Sequence, residues 1–572
     1  MRIMSNRRVG LLLYNRLWLT SSTQTTISAT GVFTAHRKAH TNERFNGNSY
    51  NNKKLYAVIV GASVAATYGL YRHLTANQEE CEKQKSAKDT TPDAKLFHST
   101  VRPELPTFRL EEVNRHNTKE TGIWVTYGIG VYDITQFIPQ HPGSDKIMLA
   151  AGGAIDPFWH TYQQHNTTEI LTLLESFRIG NLDPDDDVGT KDLFDPWINE
   201  PKRHPALQPS SQRPYNAEPP KSLLIKQFLT PPEIFYVRNH LPVPDVNVND
   251  YELEVEDEVT GKRLSLSFED IRKYRKYSIM AAIMCGGNRR SEMHNVKAVK
   301  GLSWGNAAVG NAIWSGPKLC EILKDLGIES DDHRHVHFEG LDEDPTSTKY
   351  SASITLSKAM DARGDVILAY EMNGVPLPRD HGHPLRVIVP GVVGARNVKW
   401  LGRIIISPEE SDSHWQKDDY KGFSPSTNWD NVDFKKSPAI QNMPVTSAIC
   451  SPLNDEAVKV VNGYVTVKGY AWSGGGNKIV RVDTTGDGGK TWQTAELEQE
   501  SNDLSTVSIG RHWSWTLWTA KIPVSKGTSN IEIWSKAVDS SYNVQPESFE
   551  NIWNLRGMLS NAYSKVKVKL NW

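Results

Sequence analysis

Between Met280 and Glu292 the chain reads Met-Ala-Ala-Ile-Met-Cys-Gly-Gly-Asn-Arg-Arg-Ser-Glu. An apolar run delivers Cys285 into a Gly-Gly turn, and Arg289 and Arg290 follow at once. A thiolate is a strong ligand for a soft metal, and cations or a metal beside it lower its pKa from the ordinary value of about 8.5. Glycine lets backbone approach a bulky ligand closely. Arginine offers a planar fork to an oxyanion. The same stretch also reads as a buried structural cysteine beside a basic surface pair, because free cysteine is commonly buried.

Two histidines, His141 and His165, each stand next to a turn among apolar residues. Imidazole nitrogen is a favoured iron ligand. Two of them gripping one haem from opposite faces leave no open iron position, so such a centre transfers electrons. Two unrelated surface histidines are the plainer alternative. The elements that must position the pair are short. Trp124–Tyr127 and Val131–Ile134 alternate around Gly128-Ile-Gly130, which predicts a hairpin. A helix-like run from Asp145 to Ala151 follows, then Gly152-Gly153 and an aromatic cluster at Phe158-Trp159.

Other candidate groups cluster after residue 223. Ile234-Phe-Tyr-Val reads as an apolar strand ending in Arg238, Asn239 and His240 at a Pro-rich turn, the kind of loop that carries function. Basic and aromatic residues recur at Lys300, Trp304, His381 and Arg386. Val389-Pro-Gly-Val-Val-Gly-Ala-Arg-Asn-Val-Lys399 is Gly- and Val-rich with basic residues, suited to wrapping backbone around a phosphate-bearing ligand, and it lacks P-loop spacing. Taken singly, each arginine could be a surface ion pair, and Tyr420 a plain surface tyrosine.

At 572 residues the chain is long enough for several domains, and 38% hydrophobic with 23% charged residues is ordinary for a soluble protein. A net charge of -1 gives no global field for nucleic acid. The four cysteines, Cys81, Cys285, Cys320 and Cys450, form no CxxC pair, which argues against a zinc ribbon or a disulfide framework. Cys320 and Cys450 read as structural.

The segment from 101 to 182 resembles cytochrome b5 domains in its strand pair ending Val131-Tyr-Asp-Ile-Thr, its His141-Pro-Gly turn and its downstream His165. The family usually has a second glycine after that turn, where this chain has Ser144. The resemblance implies His141 and His165 as ligands of a haem b iron. His160 competes for the second position, and His165 is preferred because its spacing matches the family.

Val237-Arg-Asn-His, Met284-Cys-Gly-Gly-Asn-Arg-Arg, Gly391-Val-Val-Gly-Ala-Arg-Asn-Val-Lys-Trp and Asp419-Tyr-Lys-Gly-Phe resemble the sulfite oxidase family of molybdenum enzymes, its animal mitochondrial members above all. That resemblance implies Cys285 as the molybdenum ligand. It implies a pterin cofactor, Mo-molybdopterin, held by Tyr236, Val237, Arg238, Asn239, His240, Asp342, His381, Arg386, Asn397, Val398 and Lys399. It places the sulfite pocket on Arg238, Arg290, Trp304, Tyr420 and Arg556, with Lys300 as a weaker candidate. Forks on an oxyanion's oxygens leave the sulfur lone pair free to react. The implied reaction is oxidation of sulfite to sulfate, with electrons passing through haem to cytochrome c. A nitrate reductase-like molybdenum-haem enzyme is the alternative. It would carry its haem region after the molybdenum region and add a nucleotide fold with G-x-G-x-x-G, a pattern not found here. A haem carrier that has lost catalysis and a purely structural interaction protein are the remaining rivals.

The expected architecture is multidomain α+β. Residues 1–74 form a targeting and apolar sorting segment, 75–100 a polar tether, 101–182 the cytochrome b5-like haem domain and 183–222 a Pro-rich hinge. Residues 223–440 form the mixed α/β molybdopterin domain. Residues 441–572 form an immunoglobulin-like β-sandwich, where short alternating strands are separated by Gly turns and the family implies a homodimer. The start is rich in Arg, Ser and Thr with no acid before Glu43, the composition of a mitochondrial presequence, though a disordered basic tail reads similarly. Leu55–Tyr71 is uncharged and at the short end for a membrane span. A presequence followed by such a stretch implies release into the mitochondrial intermembrane space, or else a retained anchor, the only membrane contact expected. Residues 499–510 read as an exposed loop.

Overall fold

The computed structural model describes residues 100–141, 144–162, 165–186, 196–330, 333–344, 347–500 and 510–572. The targeting segment, the apolar stretch and most of the tether lie outside the described residues, as do the side chains of Ser144 and His160 and most of the 499–510 loop. Among the described residues no helix is long and apolar enough to cross a membrane.

The hairpin around Gly128 forms from Gly122–Tyr127 and Gly130–Asp133, paired antiparallel with Tyr127 opposite Gly130. Gly128 takes a positive φ of 53°, which glycine adopts at no steric cost. Arg178–Leu182 joins the second strand, and Thr107–Phe108 and Asn117–Thr118 close the edges of a five-stranded sheet. Ile123, Val125, Tyr132 and Ile134 turn inward against Ile138, Ile155 and Leu174. Helix Thr168–Glu175 is capped by the Thr167 hydroxyl, which accepts from Ile170 N, and it buries Leu171 and Leu174. The run read as helix-like from Asp145 is a 3₁₀ segment, Ser144–Ala150. It lies between a Pro-Gly and a Gly-Gly step, which break helix on both sides.

The hinge is only partly a strap. Gln208–Gln212 and Tyr215–Glu218 pair as a hairpin, and the second strand pairs with Val237–Arg238. Proline disfavours helix there, as expected, but extended backbone can equally find a sheet partner. The apolar strand expected before Arg238 is correspondingly reduced. Pro232–Ile234 is a 3₁₀ turn, and only Val237–Arg238 is strand.

The following region is mostly sheet, with helices of only four to seven residues where the α/β reading expected more. One five-stranded sheet runs in the order Arg263–Ser267, Glu252–Asp257, Leu401–Ser407, His335–Glu343, Lys349–Thr355. A second carries Tyr277–Met284 against Val309–Gly316, with Glu371–Met372 and Val375–Pro376 beyond. Apolar side chains from these strands form one large core around Leu253, Val336, Phe338 and Ile404.

The last region holds two sheets. Thr446–Ser451, Tyr464–Trp472, Thr516–Pro523 and Glu496–Glu498 make the first; Ala457–Lys459, Ser564–Asn571, Asn530–Asp539, Ile479–Thr485 and Gln493–Thr494 make the second. They share a core containing Val467, Val482, Trp518, Ile522 and Ile533. The alternating run from Val458 to Trp472 is two strands in different sheets, divided at Asn462-Gly463, both with positive φ. Trp513 and Trp515 precede the strand they seemed to mark and are buried against the preceding region instead.

A buried carboxylate joins the regions. Asp365 accepts two bonds of 2.7 Å from Arg511 and one of 3.0 Å from Trp513 Nε1, with Lys318 at 3.3 Å. Removing it leaves the indole N–H and two cations without their acceptor. Asp365→Ala is expected to cost about 3 kcal/mol, toward the low end for a broken buried pair because the arginine can rehydrate. A lowered unfolding midpoint in calorimetry checks this, and an unchanged midpoint would refute it.

Candidate functional site

Cys285 ends the strand Tyr277–Met284, and its own N–H donates to Ala308 O at 2.9 Å. The thiol is buried, 5% exposed. The turn beyond it needs its glycines. A Cβ on Gly287 would stand 2.6 Å from the Arg290 guanidinium, and one on Gly286 would press on Val393 and Met558. Asn288 holds the turn to the next strand by accepting from Ala308 N and donating to Tyr470 Oη.

The two arginines separate. Arg289 has φ 66°, is fully buried, and turns away from the cysteine to donate to Ser447 O, Ala562 O and Glu292. It is a structural tie to the last region, so the oxyanion fork expected of it is not formed. Arg290 turns the other way. Its Nε donates to Arg556 O and its NH1 to Leu302 O. Its side chain lines a cavity with Arg238, Arg556, Lys300, Trp304, Tyr420 and Cys285. Burial lowers the Arg290 pKa, with Arg238 adding to the effect. Burial and then Arg290 push Arg556 down to about 10, although Arg556 also pairs with Asp419. Three cations thus converge beside one thiol, a charge arrangement an anion would relieve.

Tyr420 is buried, and its hydroxyl lies 2.9 Å from His240 Nε2. The His240 ring stacks on Tyr350 at 4.7 Å. Burial raises the Tyr420 pKa against the opposing pull of Arg238, so it stays a protonated donor at neutral pH. Trp304 is fully buried and offers the cavity an apolar wall.

A second cavity lies on the other side of Cys285, lined by Tyr236, Arg238, Asn239, His240, Asp342, His381, Arg386, Asn397, Val398, Lys399 and Tyr420. Its polar groups are incompletely paired. Asp342 Oδ1 and Arg386 Nε are buried without a hydrogen-bond partner among the described residues. Burial raises the Asp342 pKa and lowers that of Lys399. Arg386 is pushed down to about 10 by burial and holds His381 O and Asn397 O. Such a lining suits a ligand that both donates and accepts. The Asn397 amide is spoken for by Val389 N and Val393 O. Val237 is the one expected residue whose side chain faces elsewhere, into a small core with Leu207 and Tyr215.

The cationic cavity is large, about 960 Å³, and continues to His141 and His165. Those imidazoles face each other with centroids 6.1 Å apart and planes 12° apart. That spacing suits one metal between two ring nitrogens at about 2 Å each. His165 Nδ1 lies 2.9 Å from Tyr162 O, so it donates there and leaves Nε2 as the free ligand atom. Around the pair the wall is apolar, with Val125, Ile134, Phe137, Ile147 and Leu174.

Several wall residues escaped sequence reading. Asn216, Arg213 and Ser211 come from the hairpin in the hinge, Tyr350 from the strand Lys349–Thr355, and His414, Trp415 and Met558 from later loops. Asp380 had a signal, since it sits inside Arg379-Asp-His381. It accepts both forks of Arg203 at 2.8 Å and Asn239 Nδ2 at 3.2 Å.

Three family models match the chain. They are the cytochrome b5-like heme/steroid binding domain at residues 109–183, the oxidoreductase molybdopterin binding domain at 240–415 and the Mo-co oxidoreductase dimerisation domain at 437–571. The mitochondrial sulfite oxidase of Drosophila melanogaster is 62% identical over 86% of this chain and 86% of its own length. That of Homo sapiens is 52% identical over 80% and 83%. In fold the chain is similar to the sulfane dehydrogenase SoxCD of Paracoccus pantotrophus, with a TM-score of 0.51 and 24% identity over 64% of this chain and 87% of that one.

His381 supplies a pH test. Burial pushes its pKa down to about 4, and its Nε2 lies 2.8 Å from Pro232 O. Above its ordinary value of about 6.5 it is neutral whether folded or not. As pH falls from there toward 4, the unfolded chain takes a proton that the folded one refuses, so stability is lost, by about 3 kcal/mol at pH 4. Unfolding of the cofactor-free protein at pH 7 and pH 4.5 should show the loss, and His381→Asn should reduce it. An equal loss in both proteins would exclude His381 as its source.

Proposed function

The chain belongs to the sulfite oxidase family of molybdenum enzymes, and from that premise we propose how its residues divide the work of oxidising sulfite to sulfate. One observation carries the reading: a single cavity runs from two facing histidines to a buried cysteine ringed by three arginines.

The residues present fit both cofactors of the family. The unpartnered Asp342 Oδ1 and Arg386 Nε, with Lys399 and His381, suit a pterin and its phosphate. Cys285 would hold molybdenum through its thiolate, and His141 and His165 would hold haem iron through their imidazoles. Molybdenum supplies exchange of an oxygen atom drawn from water, and haem relays electrons one at a time.

The chain's own groups do the rest. Arg238, Arg290 and Arg556 take the oxygens of sulfite by charge-assisted hydrogen bonds, which leaves the sulfur lone pair directed at the Cys285 side. Lys300 adds charge at the cavity wall. Trp304 excludes water from one side and so strengthens those contacts. Tyr420 donates a hydrogen bond to a substrate or product oxygen, held in place by His240.

A haem held by His141 and His165 would hand electrons on, with cytochrome c as the acceptor. The protein works in mitochondria, as its likeness to mitochondrial sulfite oxidases supports, in the intermembrane space after loss of the N-terminal segment. Residues 441–572 form an immunoglobulin-like sandwich that builds a homodimer, supported by the dimerisation-domain match and the two sheets with their shared core. The proposed divisions fall at 74, 100, 182, 222 and 440, and the hinge joins the catalytic region where Asn216 and Ala217 pair with Arg238 and Val237.

Sulfite added anaerobically should reduce the haem in the parent protein, read from its absorbance. In Cys285→Ser the haem should stay oxidised while its spectrum shows it still bound. A parent haem that stays oxidised with molybdenum present would defeat the sulfite reading. Reoxidation of the chemically reduced parent by nitrate, with no response to sulfite, would favour a nitrate reductase.

A further inference from the structure

Resting on the sulfite reading above, we propose that Asn216 is a positioning residue that aims Arg238 at the substrate's oxygens while leaving its charge uncompensated. Asn216 lies directly across the strand pair from Arg238. Its Oδ1 accepts from Arg238 NH1 at 3.1 Å and from Asn239 N at 2.9 Å. Its Nδ2 donates to Ser211 Oγ at 2.8 Å and Pro214 O at 2.9 Å. The amide is 1% exposed, so all four of its hydrogen-bonding positions are used and it has one orientation available.

The choice of partner is informative. Arg289 is paired with Glu292 and Arg556 with Asp419, whereas Arg238 forms no ion pair among the described residues. Its fixed acceptors are the Asn216 amide and the Asn239 carbonyl, both neutral. A carboxylate at position 216 could hold the same guanidinium, but it would offset the charge that an anionic substrate needs. Asn216 belongs to the hinge hairpin, and Ser211, Gln212, Arg213 and Pro214 of that hairpin line the same cavity. The link between the haem-binding and catalytic regions is therefore also a wall of the substrate site. Glu218, further along the hairpin, accepts from Gly305 N at 3.0 Å and so holds the turn that carries Trp304.

The test uses the holoenzyme with three variants, Asn216→Ala, Asn216→Asp and Ser211→Ala. Two quantities are read. One is sulfate binding to the oxidised protein by calorimetry, which involves no turnover. The other is the split between KM and kcat for sulfite. Loss of one charge-assisted bond should weaken sulfate binding and raise KM about tenfold in Asn216→Ala, with kcat nearly unchanged. Asn216→Asp should weaken both at least as much, because it keeps an acceptor but adds a compensating charge. Ser211→Ala removes one of the two acceptors that orient the Asn216 amide, so it should weaken sulfate binding, but by less than Asn216→Ala does. The proposal falls if Asn216→Ala binds sulfate like the parent, if Asn216→Asp restores parental binding, or if Ser211→Ala weakens binding more than Asn216→Ala does. Should Asn216→Ala fail to fold, the comparison of Asn216→Asp with Ser211→Ala decides alone. A parent holoenzyme that neither binds sulfate nor oxidises sulfite would defeat the functional reading instead.

Discussion

The site depends on a buried cation. The Arg290 guanidinium lies among the carbonyls of Leu302, Arg556 and Gly557 and the sulfur of Met558. Three glycines make room for it. A Cβ on Gly287, Gly301 or Gly557 would stand 2.6 to 2.8 Å from atoms of that side chain. A buried charge is costly unless its hydrogen bonds are met. Here they are met by backbone, which cannot neutralise it. The Cys285 turn, the 300–306 loop and the 553–558 segment are thereby fixed to one another through one side chain, and the pocket they enclose keeps its positive charge.

That arrangement makes the last region part of the candidate site. Arg556 and Met558 reach the cavity from it, and Arg289 reaches back into it to grip Ser447 O and Ala562 O. The two arginines adjacent in sequence thus act in opposite directions. One anchors the C-terminal sheets, and the other faces the cysteine. The left-handed backbone at Arg289, φ 66°, is what turns the chain between them, and its two buried carbonyl bonds offset the strain of a non-glycine residue there.

What the sequence disclosed follows from how local each signal is. The hairpin around Gly128, the Cys285 turn and the His141–His165 pair are carried by residues near one another in the chain, and their motifs were readable. Nearly all the residues expected around the cofactor and substrate line one of the two cavities beside Cys285, because a resemblance transfers long-range geometry that spacing alone cannot give. Arg289 was misread because side-chain direction in a tight turn depends on backbone φ, which the dipeptide Arg-Arg does not encode. Asn216 carried no role on its own, and Asp380 had only its place inside Arg379-Asp-His381. Their partners, Arg238 and Arg203, lie 22 and 177 residues away. The hinge was read as a strap because proline excludes helix, yet the same extended backbone could pair with Val237–Arg238 once the fold brought that edge alongside.

The two ends of the large cavity differ in kind, and the difference itself directs traffic. Around His141 and His165 the wall is apolar, and burial lowers the pKa of His165, so its imidazole stays neutral, the form that binds a metal. At the far end three guanidiniums and Lys300 surround a thiol. A small anion is drawn to the second end and disfavoured at the first, since an unpaired charge among aliphatic side chains has nothing to replace its water. The cavity can therefore be continuous without mixing the two chemistries. The hinge hairpin lines the same cavity, and its neutral Asn216 touches the cationic side without weakening it. Polarity of the lining thus favours a small anion at the thiol end and a largely apolar group at the histidine end.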